Sequence, residues 1–193
     1  MWDNTYIMEH INREKAYEIL TKYMVGQNYI DHSLAVEAIM KKLAEKLAPD
    51  EVEFWGICGL LHDLDEEHCD WTNHPETHGP TSVEILKKEG VNDEILFNAI
   101  MAHNPDSSKK AETTIEHAII AADPMSGFIK AIAQIYPDKK VSSVKPKSVT
   151  KRFKETRFAA GANREYMMHI ERCKIPYAEF AEMALDAMKD FEY

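Results

Sequence analysis

The sequence predicts an all-α protein, a compact helical bundle with a C-terminal helical extension. Apolar residues recur at intervals of three and four along nearly every segment, which is the period of an amphipathic helix. The alternating pattern of a strand never continues for more than a few residues. The 193 residues suffice for one domain with a sizeable core. We expect a single domain over residues 1–193, with a motif-bearing core at about 13–130 and the extension at about 131–193.

The first half of the chain predicts five helices, bounded by capping and breaking residues. Asn12 has a side chain that can cap a helix, and Pro49 separates the second helix from the third. Pro80 suits the first turn of a helix, where the backbone N–H has no intrahelical partner. The polar stretch 65–79 is expected to be a loop. The predicted helices are 12–24, about 31–48, about 50–63, 80–90 and 93–103.

The second half predicts four further helices. One begins at Thr113 or Thr114 and is expected to end or kink at Asp123, because Pro124 cannot donate the bond to Ile120. A turn follows at 136–138. The remaining predicted helices are 148–160, 163–173 and 176–191.

Composition predicts a cytoplasmic protein with no membrane partner. No apolar stretch reaches the roughly 18 residues that a membrane-spanning helix requires. Residues 1–4 lack the basic and apolar layout of a signal peptide. The three cysteines form no CxxC pair, so neither a disulfide framework nor a zinc ribbon is predicted.

The charge distribution argues against an extended nucleic-acid partner. The net charge is -10 at pH 7, whereas binding a long nucleic acid requires the neutralisation of many phosphates. The segment from Lys139 to Arg157 nevertheless holds eight basic residues and one acidic residue, a net charge of +7. The rest of the chain therefore carries -17.

Four predicted helices each begin or end with an ionisable residue on the apolar stripe. His32, for example, precedes Val36 by four residues and Ile39 by seven, and so continues the buried face. A single inward histidine is more often hydrogen-bonded to backbone than bound to a metal, and that alternative stays open for each residue alone. Four such groups that share one interior cannot all remain unpaired. The four are His32, His62, His103 and Asp123.

A metal ion is the predicted partner of these groups, with Asp63 as the ligand adjacent to His62. Imidazole nitrogens combined with carboxylates suit Zn, Mn, Fe or Ni better than Mg or Ca. His78 is a further candidate ligand, although it lies in the loop before Pro80. A rival zinc site would use Cys69, His74 and His78.

The order of these residues resembles that of the HD-domain metal-dependent phosphohydrolases. Three segments look like that family's motifs in their usual sequence: 31–36, 59–63 and 121–123. The resemblance implies hydrolysis of a nucleotide or another small phosphorylated substrate by a metal-activated water. It also implies one ion held by His32, His62, Asp63 and Asp123, and, where a second is present, further ligation by His78 and His103.

Such an ion would lower the pKa of a bound water from about 15.7 toward about 7 and polarise a phosphoryl oxygen. We expect Asp63 to act at the reacting centre and, with two ions, to bridge them through its two oxygens. Glu66, one helical turn later, is the predicted proton-transfer residue, and the resemblance implies a catalytic glutamate there. Asp65 and Glu67 are alternatives, and a solvated acidic loop remains open for all three.

The basic segment is the expected source of charge for the substrate phosphate, since it is the part of the chain with a large positive excess. A solvated basic helix face is the alternative. The predicted phosphate-binding residues are Lys151, Arg152, Lys154 and Arg157.

Two other functional classes remain possible from the sequence. One is a regulatory module that binds a nucleotide or a metal without hydrolysis. The other is a helical protein with a structural metal, which closed coordination would indicate. The sequence does not predict an oligomeric state.

Overall fold

The computed structural model describes residues 10–107 and 109–193, and across those residues the protein is all-α, as predicted. Its helices are joined by turns and short 3₁₀ segments, and the extended pairing found there is a single bridge between Lys140 and Glu192. The expectation about residues 1–4 lies outside the described part. The helices are α1 Arg13–Tyr23, α2 Gln27–Leu47, α3 Val52–Leu61, α4 Pro80–Lys88, α5 Glu94–His103, α6 Thr114–Gln134, α7 Pro146–Phe153, α8 Arg164–Met167 and α9 Tyr177–Ala187.

Side-chain caps fix several of these helix starts. The Asn12 side chain accepts a hydrogen bond from the backbone N–H of Lys15 and caps α1. At α6, Thr113 and Glu116 form a reciprocal capping box. The N-cap prediction at Asn12 is confirmed, whereas α2 begins at Gln27, four residues before the predicted start at Asp31.

A close contact between α2 and α3 places two histidines side by side. A Cβ atom on Gly59 would lie 2.8 Å from the backbone oxygen of Val36, so only glycine permits this approach. His62 follows Gly59 by three residues, and His32 precedes Val36 by four. The two imidazoles therefore lie at the same end of the helix pair.

The sixth helix does not end at Asp123 as predicted, but continues as α6 through Pro124 to Gln134. A proline inside a helix costs about 3 kcal/mol through the lost hydrogen bond and the ring clash. Burial of the following apolar residues outweighs this cost, since each contributes about 1.5–3 kcal/mol. Met125, Phe128, Ile129 and Ile132 are all fully buried. The predicted core boundary near residue 130 falls inside this helix.

The helix predicted over 148–160 is also shorter than expected, since α7 ends at Phe153. The chain then turns, and Ala159 adopts a positive φ of 44°. The Arg164 guanidinium donates hydrogen bonds to the backbone oxygens of Phe158, Ala159 and Ala162. These bonds give the backbone oxygens of the turn the hydrogen-bond donors that helix N–H groups would otherwise provide, and so stabilise the turn.

One continuous set of buried apolar side chains connects the helices from α1 to α9. It includes Leu20 in α1, Phe128 in α6 and Phe180 in α9. Among the described residues, no helix combines the length and apolar character needed to cross a bilayer.

Candidate metal centre

The six predicted metal ligands converge on one region of the bundle. They arrive from five parts of the chain, so the tertiary fold and not a local motif assembles them. They are His32 in α2, His62 and Asp63 just after α3, His78 shortly before α4, His103 at the end of α5 and Asp123 in the middle of α6.

The first ligand group consists of His32, His62, Asp63 and Asp123. The Nε2 atom of His32 lies 3.2 Å from Asp63 Oδ2 and 3.2 Å from Asp123 Oδ1. The Nε2 atom of His62 lies 3.2 Å from Asp63 Oδ2 and 3.8 Å from Asp123 Oδ1. All four ligand atoms lie within 4.8 Å of one another. This spacing suits one ion with ligands about 2.0–2.2 Å away.

The second ligand group consists of Asp63, His78 and His103. Both histidine Nε2 atoms lie 3.3 Å from Asp63 Oδ1 and 2.9 Å from each other. Asp63 thus presents one carboxylate oxygen to each group. Asp63 could therefore be a ligand in either group.

Hydrogen bonds fix which nitrogen of each histidine faces the centre. The Nδ1 atom of His62 lies 2.8 Å from the carbonyl oxygen of Gly59. The Nδ1 atom of His103 makes the same kind of hydrogen bond to the carbonyl oxygen of Ile100. A carbonyl can only accept, so each Nδ1 carries the proton and donates. Each Nε2 therefore faces the centre and can bind a metal ion once its own proton has left.

Ser126 orients His32 in the same way. Its hydroxyl donates to the backbone oxygen of Asp123 at 2.9 Å and lies 2.9 Å from His32 Nδ1. Because the hydroxyl proton is already used, the imidazole is the donor in the second contact. Sequence reasoning missed Ser126, although its position three residues after Asp123 on the same helix was a usable signal.

The donor atoms fit a cation. The buried Nε2 atom of His62 has no hydrogen-bond partner among the described residues. The Nε2 atoms of His78 and His103 face each other at 2.9 Å, and their hydrogen bonds leave both as acceptors in the neutral form. Two lone pairs at that distance repel unless a proton or a metal ion lies between them. The donor set therefore fits a metal ion.

The electrostatics of the centre also favour a cation. Burial lowers the pKa of His32, but Asp123 and Asp63 outweigh it and raise the pKa to about 9. Against the same burial, these aspartates raise the pKa of His62 to about 10. Burial would raise the pKa of Asp63, yet the histidines around it, His62 first, hold that pKa well below its usual range. Both aspartates are held as carboxylates, and their charge requires a positive partner.

Asp65 supports the centre from outside the ligand groups. One of its oxygens lies 2.8 Å from His78 Nδ1, and the other accepts the backbone N–H groups of Gly79 and Ser82. Asp65 is completely buried. It therefore orients His78 and stabilises the start of α4, which the sequence could not reveal because the contact depends on how the loop folds back.

The three acidic residues weighed for proton transfer occupy different environments. Asp65 is engaged with His78, and Glu67 accepts the backbone N–H groups of Val25 and Gly26 ahead of α2. Glu66 is half-buried, and its carboxylate makes no hydrogen bond or ion pair with the described residues. Burial and the Asp63 carboxylate raise the pKa of Glu66. Glu66 is thus the member of the three whose carboxylate is uncommitted.

The rival zinc site does not assemble. His74 is exposed and lies 3.4 Å from the Glu76 carboxylate. Cys69 instead lies near Asp65 and His78, so its neighbours differ from those predicted.

The structure does not bring the basic segment to the metal centre. Lys151 and Arg152 line a surface pocket with Ile132 and Tyr136. Ile132 follows Asp123 by nine residues, which is about 14 Å along the helix axis. Arg152 also forms an ion pair with Glu155. Lys154 and Arg157 have no contact with a metal ligand in the described part of the chain, and the phosphate-binding role of this segment stays a prediction.

The fold and the site define a class, namely helical proteins that build a metal centre around a His-Asp pair. The HD domain family model matches residues 29–123, from one turn before His32 to Asp123 itself. Residues 29–123 therefore form an HD domain, which is consistent with the HD-domain superfamily of metal-dependent phosphohydrolases.

Similar curated proteins carry the name Ribonuclease Y. The chain is 30% identical to that of Pseudothermotoga lettingae over 175 residues, covering 86% of this chain and 32% of that protein. It is 33% identical to that of Mesoplasma florum over 97 residues, or 50% of this chain and 18% of that protein. The chain thus spans about a third or less of these relatives. No solved structure gave a significant match.

Proposed function

We propose that this protein is a metal-dependent phosphohydrolase that cleaves a nucleotide or another small phosphorylated substrate with one or two divalent transition metal ions, Fe, Mn, Ni or Zn. The observation that carries the proposal is the sharing of Asp63 between two ligand groups. Its Oδ2 atom faces His32 and His62, and its Oδ1 atom faces His78 and His103. Two adjacent ions are the arrangement that many phosphoryl-transfer enzymes use.

Metal ions at this centre would supply an acidified water and a polarised phosphoryl oxygen. Asp63 and Asp123 hold negative charge on the protein side, so the phosphate must approach from the open side of the centre. The Asp123 side chain is 31% exposed and that of His32 is 23% exposed, whereas His62 is fully buried. The substrate therefore approaches past His32 and Asp123.

Glu66 is the proposed proton-transfer residue. As the water oxygen bonds to phosphorus, its proton passes to a carboxylate oxygen of Glu66. The bond from phosphorus to the leaving oxygen then breaks, and that oxygen takes the proton. Burial, and after it the Asp63 carboxylate, raises the pKa of Glu66, which makes its carboxylate a better proton acceptor.

The test combines metal analysis with a hydrolysis screen. His62→Ala and Asp63→Ala should lose bound transition metal and hydrolysis of nucleotides and phosphomonoesters while the circular dichroism stays helical. Glu66→Gln should keep the metal and lose about 100-fold or more in kcat. Asp50→Asn, at an exposed site away from the centre, is the matched control. Full metal content in Asp63→Ala would contradict the site, and full activity in Glu66→Gln would contradict the proton role.

A ribonucleic acid phosphodiester is a second candidate substrate. The names of the curated relatives favour it, since the alignment with the first covers 86% of this chain. The net charge of -10 favours the smaller substrate. Short oligoribonucleotides in the same screen decide between the two, because only an RNA hydrolase would shorten them faster than it dephosphorylates mononucleotides. A cytoplasmic location is part of the same proposal, supported by the three free cysteines, Cys58, Cys69 and Cys173.

A further inference from the structure

Lys130 lies on the metal-facing side of α6. It follows Asp123 by seven residues, or nearly two turns, which places it within about 20° of the same helix face. Ser126, between them, contacts His32 Nδ1 at 2.9 Å, so this side of α6 faces α2 and the first ligand group.

The space between Lys130 and Asp123 is open. The two Cα atoms are separated by about 10.5 Å along the helix axis, and long side chains on a helix lean toward its N-terminus. A lysine side chain at this position can therefore extend over the turn of α6 that contains Gly127. Gly127 lies between them at an exposed position, and a Cβ atom there would meet nothing within 4 Å.

The Lys130 ammonium is held but not neutralised. Its Nζ atom lies 5.0 Å from the centre of the Tyr193 ring, and it forms no ion pair with the described residues. Tyr193 is fixed by a 3.0 Å hydrogen bond from its backbone N–H to the oxygen of Lys139. Burial, and after it the Asp31 carboxylate, raises the pKa of Tyr193, which is consistent with a ring packed near the start of α2. An aromatic face orients a cation while leaving its charge available.

We propose that Lys130 binds a second phosphate group of the substrate, the one next to the phosphate at the metal centre, across the open surface over Gly127. This inference rests on the proposed function and narrows its substrate class to molecules with two neighbouring phosphates. Such phosphates occur in a phosphoanhydride and in a chain of phosphodiesters. A lysine provides a suitable point charge for either.

The experiment measures anion binding by calorimetry to the full chain saturated with Mn²⁺. The probes are inorganic phosphate, pyrophosphate and a 5′-phosphorylated dinucleotide. The variants are Lys130→Met, Lys130→Arg and the control Lys87→Met, whose ammonium also lies over an aromatic ring, 5.2 Å from that of Phe97. Lys130→Met should weaken the binding of pyrophosphate or the dinucleotide by roughly 10- to 100-fold, and the binding of phosphate by less than about threefold. Lys130→Arg and Lys87→Met should stay within about twofold of the wild type.

The outcomes separate the sources of the ligand. A loss confined to pyrophosphate identifies a phosphoanhydride substrate, and a loss confined to the dinucleotide identifies a phosphodiester chain. Unchanged binding of both, or an equal loss for phosphate, overturns the role of Lys130. If Lys130→Met loses helicity or metal, the comparison moves to Tyr193→Leu and Tyr193→Phe, of which only the first should weaken the same probe.

Failure of this inference is distinguishable from failure of the proposed function. If the wild type hydrolyses phosphoesters and Lys130→Met binds every probe normally, only the phosphate-binding role of Lys130 is refuted. If pyrophosphate binding depends on Lys130 but no ester is hydrolysed, only the proposed hydrolase activity is refuted. A metal-loaded wild type that neither binds nor hydrolyses refutes both.

Discussion

At the scale of single residues, the centre depends on side chains outside the two ligand groups that orient the ligands. Asp65 is the clearest case, because one oxygen holds His78 and the other holds two backbone N–H groups at the start of α4. The orientation of a ligand and the start of a helix are thus coupled through one buried carboxylate. Partners of this kind typically contribute 10- to 100-fold to metal affinity.

We expect Asp65→Asn to lower metal affinity by about 10- to 100-fold and to destabilise the fold by about 1–3 kcal/mol. An amide retains one acceptor but turns an N–H group toward a donor. Metal titration and urea unfolding check the two effects. Asp190→Asn, an exposed change after α9, should alter neither. Wild-type affinity in Asp65→Asn would mean that His78 needs no such support.

At the scale of helices, the position of the histidines follows from how closely α2 and α3 approach. Gly59 permits this approach, since a Cβ atom there would lie 2.8 Å from Val36 O and 2.9 Å from the backbone nitrogen of Glu37. Both contacts are to backbone, which cannot rotate away as a side chain can. A wider separation of the helices would also move His62 away from His32.

Replacement of glycine by alanine should therefore change the free energy of unfolding in opposite directions at two positions. Gly59→Ala should destabilise the protein by about 1–3 kcal/mol through overpacking and should reduce metal affinity. Gly127→Ala should stabilise it by about 0.5–1 kcal/mol, because alanine is favoured in a helix and its Cβ has free space. Urea unfolding of the two variants tests this. Equal effects would show that the α2–α3 contact can relax.

At the scale of the whole molecule, the metal centre connects parts of the chain that are distant in sequence. Its ligands span His32 to Asp123 and include residues from α2, α5 and α6. An ion that binds only the folded state stabilises that state by mass action. The centre should therefore contribute to stability as well as to chemistry.

Removal of metal should lower the melting temperature. One ion at 1,000 times its Kd contributes about 4.1 kcal/mol, which corresponds to about 8–16 °C for a chain of this length. Thermal unfolding with and without EDTA measures the shift. Asp63→Ala, which removes the ligand common to both groups, should show almost no EDTA effect, whereas a shift equal to that of the wild type would place the stabilising ion elsewhere.

The helical class and the individual ligand candidates could be predicted because each leaves a local pattern. His32 and His103 lie on apolar stripes that a period of 3.6 residues reveals. The continuation of α6 through Pro124 could not be predicted, since it depends on tertiary burial that outweighs a local penalty. The turn after α7 was missed for a similar reason, because the bonds from Arg164 that stabilise it come from outside the segment.

The division of Asp63 between two ligand groups has a thermodynamic consequence for how the centre fills. A single negative charge cannot attract two dications as strongly as it attracts one, so occupancy of either position weakens the other, and this negative cooperativity is reciprocal. The position with Asp123 as a second carboxylate should load first, and the one with His78 and His103 should load last and empty first. A titration with two separated binding steps would reveal this order. A preparation with about one metal ion per molecule would then consist mostly of singly loaded molecules and not of a mixture of empty and doubly loaded ones.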